Sequence, residues 1–183
     1  MKSTTILTAF LLTTAVLWSA PDDSIPLELK ELDCVIYIDG VQAAGEQPAG
    51  LSMLLNLADA YETYGLKGTI TAVFDDDATP VILGNAAYDT QTKTSDGNPY
   101  AETIAGLLKR GVVLAVCGND LESKSLTAEN LLPGVKTTPR GILLVAQLAR
   151  DGAFTVPTPL PGAQAKVSRP DQKLTRIVGC FVG

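Results

Sequence analysis

Apolar residues along the middle of the chain fall into short blocks of two alternating kinds. One is a β-branched or aromatic run of strand length bounded by Gly or Asp; the other repeats at helical spacing. Val35-Ile-Tyr-Ile-Asp39 stops at Gly40 and predicts a strand. Ala49 to Tyr64 places Leu51, Leu54, Leu55, Ala58 and Tyr61 on one helical face, with Gly65 as a C-terminal stop. Thr69-Ile-Thr-Ala-Val-Phe74 predicts a second strand, halted by Asp75-Asp76-Asp77. Residues 78–97 are mixed, with a short helix expected around Pro80 to Ala87 and a polar loop to Gly97.

Asn98-Pro99 has the character of an N-cap followed by a first helical position, and Glu102 adds favourable charge near that end. The helix is expected to run through Ile104, Leu107 and Leu108 to Gly111, with Lys109 and Arg110 complementing its C-terminal dipole. Val112 to Val116 then predicts a third strand, apolar on both faces as parallel strands are. That strand delivers Cys117 and Gly118 to its carboxyl end. Thr127 caps a short helix ended by Pro133-Gly134, and Val135-Lys136-Thr137 is a short fourth strand. Thr138-Pro139 opens a helix carrying Ile142, Leu143, Val145, Ala146 and Leu148, closed by Gly152, and Ala153-Phe-Thr-Val156 is a fifth strand. The alternation predicts an α/β domain over residues 34–156, a parallel sheet with helices on both faces.

The flanks differ. In residues 1–20, Lys2 precedes a mostly apolar stretch from Ile6 to Trp18, the pattern of an export signal. Ala20 is one cleavage point; bulky Trp18 and following Pro21 make a position nearer Ala15 the alternative. A retained tether or a buried N-terminal helix are the competing readings; the stretch is short for a membrane span, so no stable membrane insertion is expected. Residues 21–33 form a polar lead-in. Residues 157–183 are a tail interrupted by Pro157, Pro159, Pro161 and Pro170, ending in the apolar Ile177-Val-Gly-Cys-Phe-Val182, suited to adding a strand or covering a surface. The expected location is periplasmic or secreted.

Composition narrows the chemistry. A chain of 183 residues with 46% apolar and 19% charged residues is one globular domain plus its ends. A net charge of −6 without a basic run argues against nucleic-acid binding. There is no histidine, which removes Ser-His-Asp and Cys-His catalysis and His-ligated zinc. No G-x-G-x-x-G or P-loop supports a nucleotide, and no cofactor is expected.

Three cysteines, Cys34, Cys117 and Cys180, cannot all pair within one chain, and their spacing matches no zinc site. In open parallel sheets, ligands collect beyond the carboxyl ends of the strands, where Cys117 falls. The amides of Gly118 to Asp120 should open a helix there, and unpaired N–H groups favour a nearby anion such as a thiolate. A packed structural cysteine is the alternative. Asp75-Asp76-Asp77 lies at another strand's carboxyl end, as a solvated loop or a Mg²⁺ or Ca²⁺ site. Asp39-Gly40 closes the first strand as a turn or faces the same crevice. Cys34 precedes its strand at the opposite end of the sheet, so pairing with Cys117 is geometrically poor and pairing with Cys180 stays open.

The string Asn98-Pro99-Tyr100, Ile104, Leu107, Gly111-Val, Val116-Cys117-Gly118, Leu126-Thr127, Leu131-Leu-Pro-Gly-Val135, Ala146-Gln-Leu148 and Gly152-Ala153 resembles the DsrE/DsrF-like family. Leu83-Gly-Asn-Ala-Ala-Tyr88 resembles that family's segment before the Asn-Pro helix. The resemblance covers residues 35–156 and implies a three-layer α/β/α fold with a five-stranded parallel sheet, assembled as a homotrimer or homohexamer. It also implies sulfur relay, with Cys117 carrying sulfur as a persulfide between donor and acceptor proteins. Gly118, Asn119, Asp75, Asp76 and Asn85 would form the surrounding pocket. The chain departs from the family in having Asp75-Asp76 where many relatives have His-Gly, Leu83-Gly84-Asn85 where others have Leu-Asn-Asp, and Asn119 after the Cys-Gly pair.

Overall fold

The alternation of strands and helices is realised in a computed structural model that describes residues 25–44 and 47–157. The expected export signal and the tail past Pro157 lie outside the described residues. In chain order the elements begin with β1 (Cys34–Ile38), β2 (Ala43–Ala44), β3 (Gln47–Pro48), α1 (Ala49–Tyr64) and β4 (Ile70–Phe74). A 3-10 helix (Asp76–Ile82), α2 (Asn85–Thr92), α3 (Ala101–Lys109), β5 (Val113–Cys117) and α4 (Gly118–Ser123) follow. A second 3-10 turn (Ala128–Asn130), β6 (Lys136–Thr138), α5 (Gly141–Arg150) and β7 (Phe154–Val156) complete the domain.

The five longer strands form one parallel sheet in the order β6-β5-β4-β1-β7, while β2 and β3 make a separate two-residue antiparallel ribbon. Side chains alternate across the sheet. Cys34, Ile36 and Ile38 of β1 join Ala72, Phe74, Leu114 and Val116 on one face, packed by Leu51 and Leu54 of α1 and Ile104 and Leu107 of α3. Val35 and Tyr37 join Val73 on the other face, against Leu144, Val145 and Leu148 of α5. This is the expected three-layer α/β/α arrangement. Each fully buried Leu or Ile contributes roughly 2 kcal/mol of hydrophobic stabilisation. The chain leaves β6 at one edge and returns as β7 at the other, so α5 must cross β5, β4 and β1.

Several boundaries differ from the sequence expectation. The helix around Pro80 to Ala87 is two elements, because Leu83 takes an extended conformation and bridges Leu131. α2 then occupies much of the expected polar loop; it buries no residue, so no apolar stripe announces it. The helix expected after Thr127 is a single 3-10 turn with a Thr127–Asn130 capping box, since Leu131 is drawn into the Leu83 bridge. Thr138-Pro139 does not open α5, because Thr138 pairs with Cys117 in the sheet and the helix starts at Gly141.

Asn98 is buried and does more than cap. Its Nδ2 donates to Val81 O at 3.0 Å and Leu83 O at 2.6 Å, while its Oδ1 accepts from Tyr100 N–H at 2.8 Å. Serving the extended segment before α2 as well, it sits short of the helix, which begins at Ala101. Arg110 likewise reaches beyond its own helix end to α1, with Nη2 2.7 Å from Asp59 and Nε 2.6 Å from Glu62.

Candidate functional site

Cys117 ends β5 and begins α4, as its N-cap residue with φ −67° and ψ 117°. Its side chain makes no capping bond, and the first-turn amides that follow have no intrahelical acceptor. β5 and β4 run parallel with Val116 beside Phe74, which sets Asp75 beside Cys117 at the same carboxyl end. Val73 packs on the α5 face, and alternation returns Asp75 to that face two residues later.

Asp75 is held from two sides. Its Oδ2 accepts a 2.7 Å hydrogen bond from the Tyr37 hydroxyl, and its Oδ1 accepts from Asp76 N–H at 2.9 Å, capping the 3-10 helix. Tyr37 comes from β1 on the same face. Burial, the bond to Asp75, and the charges of Asp75, Cys117 and Asp39 raise the Tyr37 pKa above its ordinary value, so the phenol stays protonated. Asp39, just past the end of β1, is exposed.

α5 closes the site from above. A methyl built on Gly141 would lie 3.0 Å from Val73 Cγ1, 3.2 Å from Asp75 Oδ2 and 3.3 Å from Cys117 Cβ. The absence of a Cβ lets the helix backbone approach the side chains of Cys117 and Asp75 this closely. Gly118 meets a similar constraint, its would-be Cβ lying 3.1 Å from Thr138 O. Cys117 is 5% exposed and unpaired.

One further network fixes α4. Buried Asp120 accepts a short hydrogen bond from the Thr79 hydroxyl and pairs with Lys124 Nζ at 2.6 Å. It ties the helix that begins at Cys117 to the 3-10 helix that follows Asp75.

Cys117, Gly118 and Asp75 thus meet at one end of the sheet. Asp76 and Asn119 are exposed beside them. Asn85 is engaged elsewhere, its Oδ1 accepting from Asn98 N–H at 3.1 Å. Tyr37, Gly141 and Asp120 were missed by the sequence reading. Only Asp120 left a trace there, the Asp120/Lys124 spacing of a helical ion pair. Asp75 is taken up by Tyr37 and its own turn, and among the described residues no group of three or more Cys, Asp or Glu is placed to hold a metal ion.

Cys34 lies at the opposite end of the sheet, free and 1% exposed. The Tyr61 hydroxyl donates to Leu32 O at 2.6 Å and stands 3.6 Å from Cys34 Sγ. Burial raises the Cys34 pKa, and Asp33 adds to it against the opposing contact with Tyr61. A pocket of about 270 Å³ also opens at that amino end, between Tyr61, Gly68 and Arg110, remote from Cys117. Among the described residues no helix is long and apolar enough to cross a membrane.

Fold and site together define a three-layer α/β protein that presents a buried thiol beside a tyrosine–carboxylate pair. The chain is similar to a solved structure titled as a protein of unknown function, MTH1491 from Methanobacterium thermoautotrophicum. The TM-score is 0.54 at 17% identity, covering 69% of this chain and 97% of that one. It also aligns with the ychN protein of E. coli, with a TM-score of 0.47 at 17% identity over 68% of this chain and 99% of that one. The likeness to the first of these is one of fold: a five-stranded parallel sheet flanked by helices. No family model and no curated protein matches the sequence.

Proposed function

We propose that this is a sulfur-handling protein in which Cys117 accepts sulfane sulfur as a persulfide. The observation that carries the reading is the convergence of Cys117, Asp75, Tyr37 and Gly141 at the carboxyl end of a parallel sheet, where such folds gather their chemistry. In the proposed step the Cys117 thiolate attacks the outer sulfur of a donor persulfide R–S–SH. The new Cys117–S bond forms as the donor S–S bond breaks, leaving Cys117–S–SH and the thiolate R–S⁻; no external oxidant or reductant enters. The proton stays on the outer sulfur; the amides of Gly118 and Asn119 face that sulfur, and Asp75, fixed by two hydrogen bonds, accepts a hydrogen bond from its S–H. Donor and acceptor proteins deliver and remove the sulfur, and the carrier works as a homotrimer or homohexamer in the periplasm or outside the cell. The resemblance at Val116-Cys117-Gly118 and Leu131-Leu-Pro-Gly-Val135 supports this reading.

Mass spectrometry after incubation with a sulfane-sulfur donor tests it. A gain of about 32 Da, one sulfur atom, that disappears in Cys117→Ser is expected. No such adduct, or one that survives the substitution, overturns the reading.

The burial of Cys117 favours one rival, an oligomeric binding module in which the thiol is only packed. A Cys117 inert to alkylating reagents in the folded protein supports that rival.

A further inference from the structure

α5 is the helix that covers the second face of the sheet, and its own outer face is largely apolar. Gly141, Leu144, Val145 and Leu148 turn inward, which leaves Ile142 57% and Leu143 64% exposed, with Ala146 and Ala149 exposed further along the helix. Ile142 and Leu143 stand next to Gly141, so this patch forms the rim of the Cys117 site. The neighbouring rim is acidic. Asp39, Asp76 and Asp77 are exposed at the carboxyl ends of β1 and β4, with Arg140 the cation at the start of α5.

The sequence past Pro157 has the complementary pattern in the matching order. It carries Lys166, Arg169, Lys173 and Arg176 against a single Asp171, and then the apolar Ile177–Val182. The rest of the chain is acidic enough to leave the whole at −6. β7 is parallel to β5, so the tail departs from the same end of the sheet that holds Cys117. Three strand spacings separate β7 from β5, about 14 Å. The ten residues from Pro157 to Lys166 extend to roughly 30 Å, enough to reach the acidic rim.

We propose that the tail of this chain docks back across the carboxyl end of its own sheet. Its basic stretch lies along Asp39, Asp76 and Asp77, and Ile177–Val182 covers Ile142, Leu143 and Ala146. The exposed apolar face of α5 is then the seat of a segment of the same chain. The docking stands whether or not Cys117 carries sulfur.

Site-specific photo-cross-linking tests it in the full chain. Leu143, being exposed, is replaced by benzoylphenylalanine, and protein co-assembled from equal parts of light and heavy isotope-labelled chains is irradiated. The expected product joins position 143 to a tail peptide of the same isotopic label, and Ile177→Asp with Phe181→Asp abolishes it. A mixed-label product assigns the seat to a second copy and overturns the proposal. So does a cross-link outside the tail, no cross-link at all, or one that persists in the double variant.

Discussion

The hydroxyl of Tyr37 donates to Oδ2 of Asp75 across 2.7 Å, joining the ends of β1 and β4 on the face that α5 covers. The bond uses one oxygen of Asp75 while the other caps the turn at Asp76, so the carboxylate beside Cys117 has a fixed orientation. Tyr37→Phe keeps the ring and removes the bond. Urea denaturation should show a loss of about 1 kcal/mol, the usual net worth of one such hydrogen bond.

Tyr37, Tyr61 and Tyr88 all have raised pKa values, with burial the first cause in each. In the unfolded chain they ionise near the ordinary value of roughly 10. The folded state therefore holds its protons longer, so their contribution to stability is fully present below that pH and is lost as pH rises through the folded values. Stability should fall from about pH 10 upward. These three should develop tyrosinate absorbance late in a spectrophotometric titration. Titration of Tyr37, Tyr61 and Tyr88 near pH 10 in the folded protein would contradict this.

Gly141→Ala places a methyl among Val73, Asp75 and Cys117 at contacts of 3.0 to 3.3 Å. These neighbours or the start of α5 must give by a few tenths of an ångström, at a cost of about 1–3 kcal/mol as for other overpacked positions. Thermal unfolding measures the cost. Alkylation kinetics should show Cys117 more accessible than its present 5% exposure allows.

Asp120→Ala leaves the buried Thr79 hydroxyl without its acceptor and Lys124 without its partner. A loss of about 2–3 kcal/mol is expected. Hydrogen exchange should locate the loosening in α4 and the 3-10 helix Asp76–Ile82, with the α1 core unchanged.

Asn98→Ala deletes the donor to Val81 O and Leu83 O and the acceptor for Tyr100 N–H in one step. Calorimetry should find it among the more damaging single substitutions, at about 2–4 kcal/mol.

Strands and long helices were legible because their signals are local. The buried run ending at Cys117, the stripe from Leu51 to Tyr61 and the turn at Gly65 each lie within a few residues of one another. α2 was not legible, since its residues are at most partly buried and form no apolar stripe to read. The second 3-10 turn was overextended because a bridge between Leu83 and Leu131, 48 positions apart, ends it. At the site, Cys117, Gly118 and Asp75 were visible as strand ends. Asn85 looked like a member through its place in a motif, yet its carbonyl serves the amide of Asn98.

The sequence by itself determined that this chain alternates strands with helices and sets a thiol at a strand's carboxyl end, because side-chain periodicity and turn residues act over one element. The strand order β6-β5-β4-β1-β7 was decided only in three dimensions. That order lays Tyr37, Asp75 and Cys117 on one face and brings Gly141 over them, contacts among residues tens of positions apart that no local pattern encodes.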